Sequence, residues 1–219
     1  MNRVSFIFFT LFLIVSILHG NDNPEEKLLS KYTGIKTFST DFDRVFTQKI
    51  TGNKTKDSGK ILYMAPDQIR MDTVSEGKLS EQTFIDGEKT TFIYHSKKNV
   101  MIKKSVGEAG EYLAFLKGLD EVRKNFLIQD STSSIPKARK TGIDVRDGAK
   151  LFKLTPKEPV ANLRYIFLTS VKNEIDSVII IDQLRNINQF KFKNIKNDPK
   201  IDKKVFNVSY PSDYEVSSF

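Results

Sequence analysis

Residues able to make or break bonds are few in this chain. Histidine occurs only as His19 and His95, and cysteine is absent. A zinc cage needs three or four nitrogen or sulfur ligands, and a thiol nucleophile needs a cysteine, so neither can be built. There is no Gly-x-Ser-x-Gly elbow and no phosphate-cradling glycine loop. Carboxylates remain for acid–base work, and Asp72, Asp86 and Asp176 are the candidates. They fall at turns or on alternating faces of strand-like runs, where a solvated carboxylate is expected. His95 ends such a run before Lys97-Lys98 and is expected at the surface. The chain therefore reads as a binding protein, not an enzyme, with no catalytic residue, metal or cofactor.

What could bind is an apolar surface. Phenylalanine is abundant at 17 residues while tryptophan is absent, and aromatic or aliphatic residues recur at every second position. The pairs are Phe42/Phe46 (four apart), Leu62/Met64, Ile69/Met71, Phe92/Tyr94, Phe152/Leu154, Tyr165/Phe167, Val178/Ile180 and Phe190/Phe192. Successive side chains of a strand point to opposite faces, so each pair makes one apolar face. Such faces suit a filled core and equally an incompletely filled cavity with soft Phe and Met walls. Composition does not separate the two.

The elements that must position these residues are mostly short strands. Phe38 to Ile50 alternates Phe38, Phe42, Phe46 and Ile50 with a polar face; helical spacing also fits, but its Thr, Val, Phe and Ile content and the stop at Gly52-Asn53 favour a strand. Further strands are expected at 60–64, 68–74, 82–86, 89–95 and 100–105, and again at 143–146, 151–155, 163–170, 176–182, 189–195 and 205–210. Asp86-Gly87 and Asp147-Gly148 are hairpin signals, so neighbouring strands are antiparallel. Thr51 to Gly59 reads as a polar turn and Ser131 to Thr141 as a loop. Pro24 to Tyr32 reads as a helix with proline in its first turn and Glu25 and Glu26 at the positive end of its dipole. Two short helices, 111–117 and 120–125, interrupt the strands. The first has an apolar arc too wide for a free surface helix, and it could cover the mouth of a barrel. About 11 strands with one helical insert describe a mainly β, single-domain barrel or strongly bent sheet.

The first residues lie outside this domain. Met1-Asn-Arg3 is basic, Val4 to Leu18 is apolar apart from Ser5, Thr10 and Ser16, and His19 to Asp22 is polar. An apolar run of about fifteen residues is short for a membrane span of roughly twenty, and the anatomy is that of a secretory signal. Residues 1–20 are expected to be removed, leaving a domain at 21–219. Position 21 is Asn, so the chain lacks the cysteine that a lipid anchor there would need. Lys and Arg number 35 against 27 acids, formally +8. The bases are dispersed among the acids, which fits solvation, and export argues against nucleic acid.

Five motifs follow one another in order: Phe42-x-x-x-Phe46-Thr-Gln-Lys; Gly59-x-x-x-Tyr63-x-x-Pro66-x-x-Ile69-Arg70-Met71; Asp86-Gly87 before Phe92-Ile-Tyr94; Phe152-Lys-Leu-Thr-Pro-Lys157; and Val205-Phe-Asn-Val-Ser-Tyr-Pro211. In this order the chain resembles the outer-membrane lipoprotein carrier family, LolA, over nearly all of residues 21–219. The resemblance implies an open antiparallel β-barrel closed by short α-helices that form a lid. It implies a periplasmic monomer that takes acylated lipoproteins from an inner-membrane ABC lipoprotein exporter and passes them to an outer-membrane receptor. Matching positions make Phe42, Phe46, Ile69, Met71, Phe92 and Tyr94 the acyl-chain cavity, and Tyr112, Leu113 and Leu116 the lid. One position departs: family members carry arginine just before the proline, where it ties down the lid, and this chain has Ala65. Arg70 is no substitute, because it falls on the strand face opposite Ile69. The alternatives are the receptor or a general periplasmic lipid binder of the same fold, and, in another class, an exported hydrolase with a carboxylate pair.

Overall fold

Two hairpins turn on pairs of residues with positive φ, Glu76-Gly77 (+50° and +75°) and Lys172-Asn173 (+52° and +59°). Two left-handed residues in succession make the turn whose twist matches the strands it joins. Such turns chain neighbouring strands into antiparallel meanders, of which there are two. The computed structural model describes residues 24–87, 89–103 and 119–219. The first meander comprises β1 (Thr37–Thr47), β2 (Lys54–Met64), β3 (Gln68–Ser75), β4 (Lys78–Asp86), β5 (Thr90–Tyr94) and β6 (Asn99–Lys103). The second comprises β7 (Phe126–Asp130), β8 (Lys150–Pro156), β9 (Leu163–Val171), β10 (Glu174–Asp182) and β11 (Ile187–Asn197).

The meanders join through β1 and β11, and a last strand, β12 (Glu215–Ser218), pairs in parallel with β6. The result is one open, curved sheet in the order β12-β6-β5-β4-β3-β2-β1-β11-β10-β9-β8-β7. Irregular register between Ser39 and Asp41, Thr73 and Val74, and Ile175 and Ser177 marks bulges, which bend strands and raise their twist. β1 lies mid-sheet and is the alternating stretch that begins at Phe38.

One face, termed inner here, carries the main core. Helix α1 (Pro24–Ser30) buries Leu28 and Leu29 against it, and helix α2 (Leu119–Asn125) buries Val122. Arg123 of α2 reaches Glu26 of α1 at 2.8 Å. Tyr32, just beyond α1, is 1% exposed, and its hydroxyl accepts from the Ile175 N–H at 3.1 Å. The outer face has two smaller clusters. Helix α3 (Ile135–Lys140) and the segment to Ala149 cover Leu151, Ile179 and Ile181, while Tyr210 and Tyr214 cover Phe84, Ile93 and Val100.

Several expectations are corrected. Among the described residues the sheet has twelve strands, in line with the about 11 expected, but β12 is parallel where only antiparallel neighbours were expected. Lys54 to Gly59 extends β2, because pairing with Phe42–Thr47 supplies backbone partners that its polar side chains do not advertise. Phe126–Asp130 is a strand, and 131–141 holds α3 instead of a plain loop. Residues 143–146 form no strand; they pack Ile143 and Val145 onto the outer face. The apolar run at 205–210 begins in a 3-10 turn, Lys203–Phe206, capped by the Asp202 carboxylate accepting from the Lys204 N–H. From there the chain crosses the outer face, where Arg70 donates to the Val205 carbonyl at 2.9 Å. The expected helix at 111–117 lies outside the described residues.

His95 is also not a plain surface residue. Its Nε2 lies 3.1 Å from Gln82 Oε1 and its Nδ1 3.0 Å from the Tyr214 hydroxyl. Gln82 Nε2 donates to Asp72 at 2.8 Å, so Gln82 Oε1 faces the ring and Nε2–H of His95 must be the donor. His95 thereby anchors the C-terminal segment to the sheet.

Candidate functional site

Strand register decides which side chains share a surface. Thr40 of β1 opposes Ile61, Ile61 opposes Met71, Met71 opposes Thr83, and Thr83 opposes Phe92. One step away, Phe38, Tyr63, Ile69 and Ile85 line up in the same way. Side chains opposite one another in a ladder point to the same face, as do residues two apart. Phe42, Phe46, Ile69, Met71, Phe92 and Tyr94 therefore all lie on the inner face. Three strands, β2 to β4, separate the first pair from the last.

The six differ in depth. Phe42 and Ile69 are 1% and 3% exposed and belong to the main core, with Met71 packed against it. The Phe42 ring meets Phe190 edge-on, 5.3 Å between centroids. Phe46, Phe92 and Tyr94 are half-buried. Phe92 and Tyr94 stack with ring planes 7° apart and centroids 6.2 Å apart. Lys103 Nζ lies 5.5 Å from the Phe92 ring centre and Lys97 Nζ 5.7 Å from that of Tyr94, so cations sit over the apolar floor. The inner face is thus buried most deeply at Phe42 and Ile69 and less so at Phe46, Phe92 and Tyr94. Tyr112, Leu113 and Leu116 lie outside the described residues.

The paired apolar runs divide between faces. Val178/Ile180, Phe190/Phe192 and Phe152/Leu154 join the inner core. Leu62/Met64 and Tyr165/Phe167 point outwards, since Tyr63 and Ile166 hold the inner positions. Alternation shows that a strand has an apolar face but not which side of the sheet it serves.

Polar groups on the inner face escaped the sequence reading. Arg44 Nη2 and Nε reach Asp57 Oδ2 at 2.8 and 3.2 Å, with side chains 20% and 10% exposed. Arg44 also lies 5.9 Å from the centre of the Phe190 ring. Its place between Phe42 and Phe46 was the available signal, but its partner lay in a segment read as a turn. Thr73 Oγ1 and Asn188 Oδ1 are buried without a hydrogen-bond partner, and both belong to inner-face positions. The inner face is oily with a polar patch.

The candidate carboxylates are each held by a cation. Asp72 pairs with Arg70 at 2.9 Å, Asp86 with Lys89 at 3.3 Å, and Asp176 with Arg146 at 3.0 Å. Asp176 is 9% exposed, and Asp72 is half-buried, so these two are not solvated as expected. Among the described residues no group of three or more His, Cys, Asp or Glu could hold a metal ion.

Three tyrosines of the inner side, Tyr32, Tyr63 and Tyr94, have phenol pKa values raised by burial, with Glu174, Asp67 and Glu81 respectively adding to the rise. For Tyr32 the Ile175 N–H opposes it. A raised folded pKa means the unfolded chain loses the proton first. The stability these groups contribute is complete below the ordinary phenol value of about 10 and falls as pH rises beyond it. In an alkaline titration followed by tyrosinate absorbance and circular dichroism, these three phenols should ionise late and together with loss of β signal. Ionisation of all seven tyrosines near pH 10 with the β signal intact would contradict it.

The family model for the outer membrane lipoprotein carrier protein LolA matches residues 33–209. The chain belongs to the LolA family. A relative from Legionella pneumophila (strain Lens), described as an outer-membrane lipoprotein carrier protein, is 26% identical over 217 residues, covering 99% of this chain and 98% of that protein. One with the same description from Methylococcus capsulatus is 23% identical, covering 88% and 86%. Among solved structures, an uncharacterized conserved protein from Thermus thermophilus has a similar fold, with TM-score 0.51, 9% identity and coverage of 88% and 95%. The arginine that the resemblance expects before Pro66 is replaced by Ala65. Arg70 lies on the outer face, 5.4 Å over the Phe84 ring and hydrogen-bonded to the Val205 carbonyl.

Proposed function

We propose that this LolA-family protein is a periplasmic chaperone that holds the acyl chains of lipoproteins on its inner face and carries them to the outer membrane. In this reading residues 1–20 are a cleaved signal, residues 21–219 are the carrier domain, and the protein catalyses nothing. Cargo arrives from an inner-membrane ABC exporter and leaves to a receptor. The observation that carries the proposal is the strand register. It aligns Phe42, Phe46, Ile69, Met71, Phe92 and Tyr94 on one face of a sheet whose family includes proteins described as lipoprotein carriers.

Energetics favour a covered trough over an empty one. Burying an acyl chain of about fifteen methylenes yields roughly 12 kcal/mol gross, at about 0.8 kcal/mol for each. A preformed open cavity would hold such cargo too tightly to release. Packing of Tyr112, Leu113 and Leu116 into the trough when it is empty would have to be undone on loading, which lowers net affinity.

Titration of the full chain with a fluorescent long-chain fatty acid, then competition by a diacylated lipopeptide, tests this directly. Saturable binding displaced by the lipopeptide is expected, and Leu116→Glu should abolish retention. Failure of the unaltered protein to take up either ligand would refute the carrier reading. Unchanged retention by Leu116→Glu would refute only the lid. Mass spectrometry of co-purified lipid separates lipoprotein cargo from free phospholipid.

A further inference from the structure

The outer face of the second meander holds a pocket that cargo binding leaves unused. Its volume is about 570 Å³. Tyr165, Phe167, Ile181 and Ile187 form its floor, and Ala138 of α3 lies in its wall. Five cations line it, namely Lys49, Lys137, Lys153, Arg164 and Arg185, and no carboxylate does. None of the five takes part in an ion pair among the described residues. Lys153 Nζ and the Arg164 guanidinium lie 4.7 and 6.0 Å from the centre of the Tyr165 ring. Five like charges thus line one cavity that no carboxylate lines. Such a field draws an anion.

A second observation says what kind of anion. Ile50, Leu184 and Leu127 are 81%, 67% and 60% exposed, and all three flank the pocket. Ile50 follows Lys49, and Leu184 precedes Arg185. Leu127 lies on β7 two residues before Gln129, another lining residue. The turns bearing Ile50 and Leu184 are neighbours, because the Lys49 N–H donates to Asn186 Oδ1 at 2.8 Å. A small soluble anion has no use for protruding aliphatic tips. A bilayer does, since apolar side chains can enter the headgroup boundary while Lys and Arg meet lipid phosphates.

We propose that this pocket and its aliphatic rim dock the protein on a membrane surface, with the phosphate of an anionic phospholipid headgroup among the five cations. The docking face is opposite the inner trough. Docked in this way, the protein keeps its trough free, and the inference stands whether or not the cargo reading does.

The absence of cysteine permits a single label. The full chain carrying Leu184→Cys with an environment-sensitive dye is mixed with vesicles of phosphatidylglycerol and phosphatidylcholine, or of phosphatidylcholine alone. A blue shift and co-flotation are expected only with phosphatidylglycerol, weakening with salt. A label at Lys89→Cys, at the other end of the sheet, should not respond. Adding Arg164→Glu and Arg185→Glu should lower partitioning at least about tenfold, since each basic residue near an anionic surface is worth roughly fivefold. The apolar N-terminal segment is common to both proteins, so their difference reads the pocket alone. Equal partitioning of the two, or no blue shift at position 184, would overturn the proposal. So would a response saturated by inorganic phosphate or polyglutamate but not by vesicles.

Discussion

Gly59→Ala is expected to lower the melting temperature by about 10 °C, the largest effect of any one-carbon change in the sheet. Gly59 sits in β2 between Phe42 of β1 and Thr73 of β3. A methyl there would stand 2.0 Å from the Asp72 carbonyl oxygen and 2.5 and 2.8 Å from two atoms of the Phe42 ring. The ring could swing, but only by leaving its edge-on contact with Phe190; the carbonyl belongs to the ladder and can move only with β3. Overpacking of this kind costs about 3 kcal/mol, and about 3 °C accompanies each kcal/mol in a chain of this size. Phe42→Ala alone should cost about 3–5 kcal/mol through the cavity it leaves. The double variant should be less damaging than the sum, because the ring clash is gone, yet worse than Phe42→Ala, because the Asp72 carbonyl remains. Thermal denaturation of the four proteins decides it. An unshifted melt for Gly59→Ala would mean that Phe42 does not cover Gly59.

Phe92→Glu should weaken acyl-chain binding at least tenfold, about 1.4 kcal/mol, and leave the melting temperature within a few degrees. The asymmetry follows from depth. Phe92 shares the inner face with Phe42 but is only half-buried, so little core packing is lost. Lys103, already over the ring, can accompany the new carboxylate in the empty protein. An acyl chain laid along that floor would have to strip water from the charge. Fluorescent fatty-acid titration beside a melting curve reads both effects. Undiminished affinity would remove the β5 end of the inner face from the site, while a collapse in stability would make Phe92 a core residue.

Local pattern determined a good deal. Pro24-Glu-Glu at a helix start and two-residue alternation in β1 are decided by the residues themselves, through dipole, proline geometry and the pleat. The six inner-face residues were found by alternation together with family resemblance; alternation alone left filled core and cavity open. Phe42 and Ile69 turned out to be core while Phe92 and Tyr94 are half-buried, a distinction no alternation pattern carries.

Contacts between distant residues decided the rest. Lys54 to Gly59 becomes strand because β1 offers it backbone partners, and no side chain there announces this. His95 is enclosed by Tyr214, more than a hundred positions away in sequence, and Asp176 by Arg146. Tyr165 and Phe167 alternate as cleanly as Phe190 and Phe192, yet face outwards into a cationic pocket. Alternation is a property of one strand, whereas the side it serves depends on how the whole sheet curves and which helices cover it. The sequence by itself determined most of the strands and the presence of an apolar face in each; only the tertiary structure distributed those faces between inner core and outer pocket, because burial is settled by neighbours that the chain brings from far away.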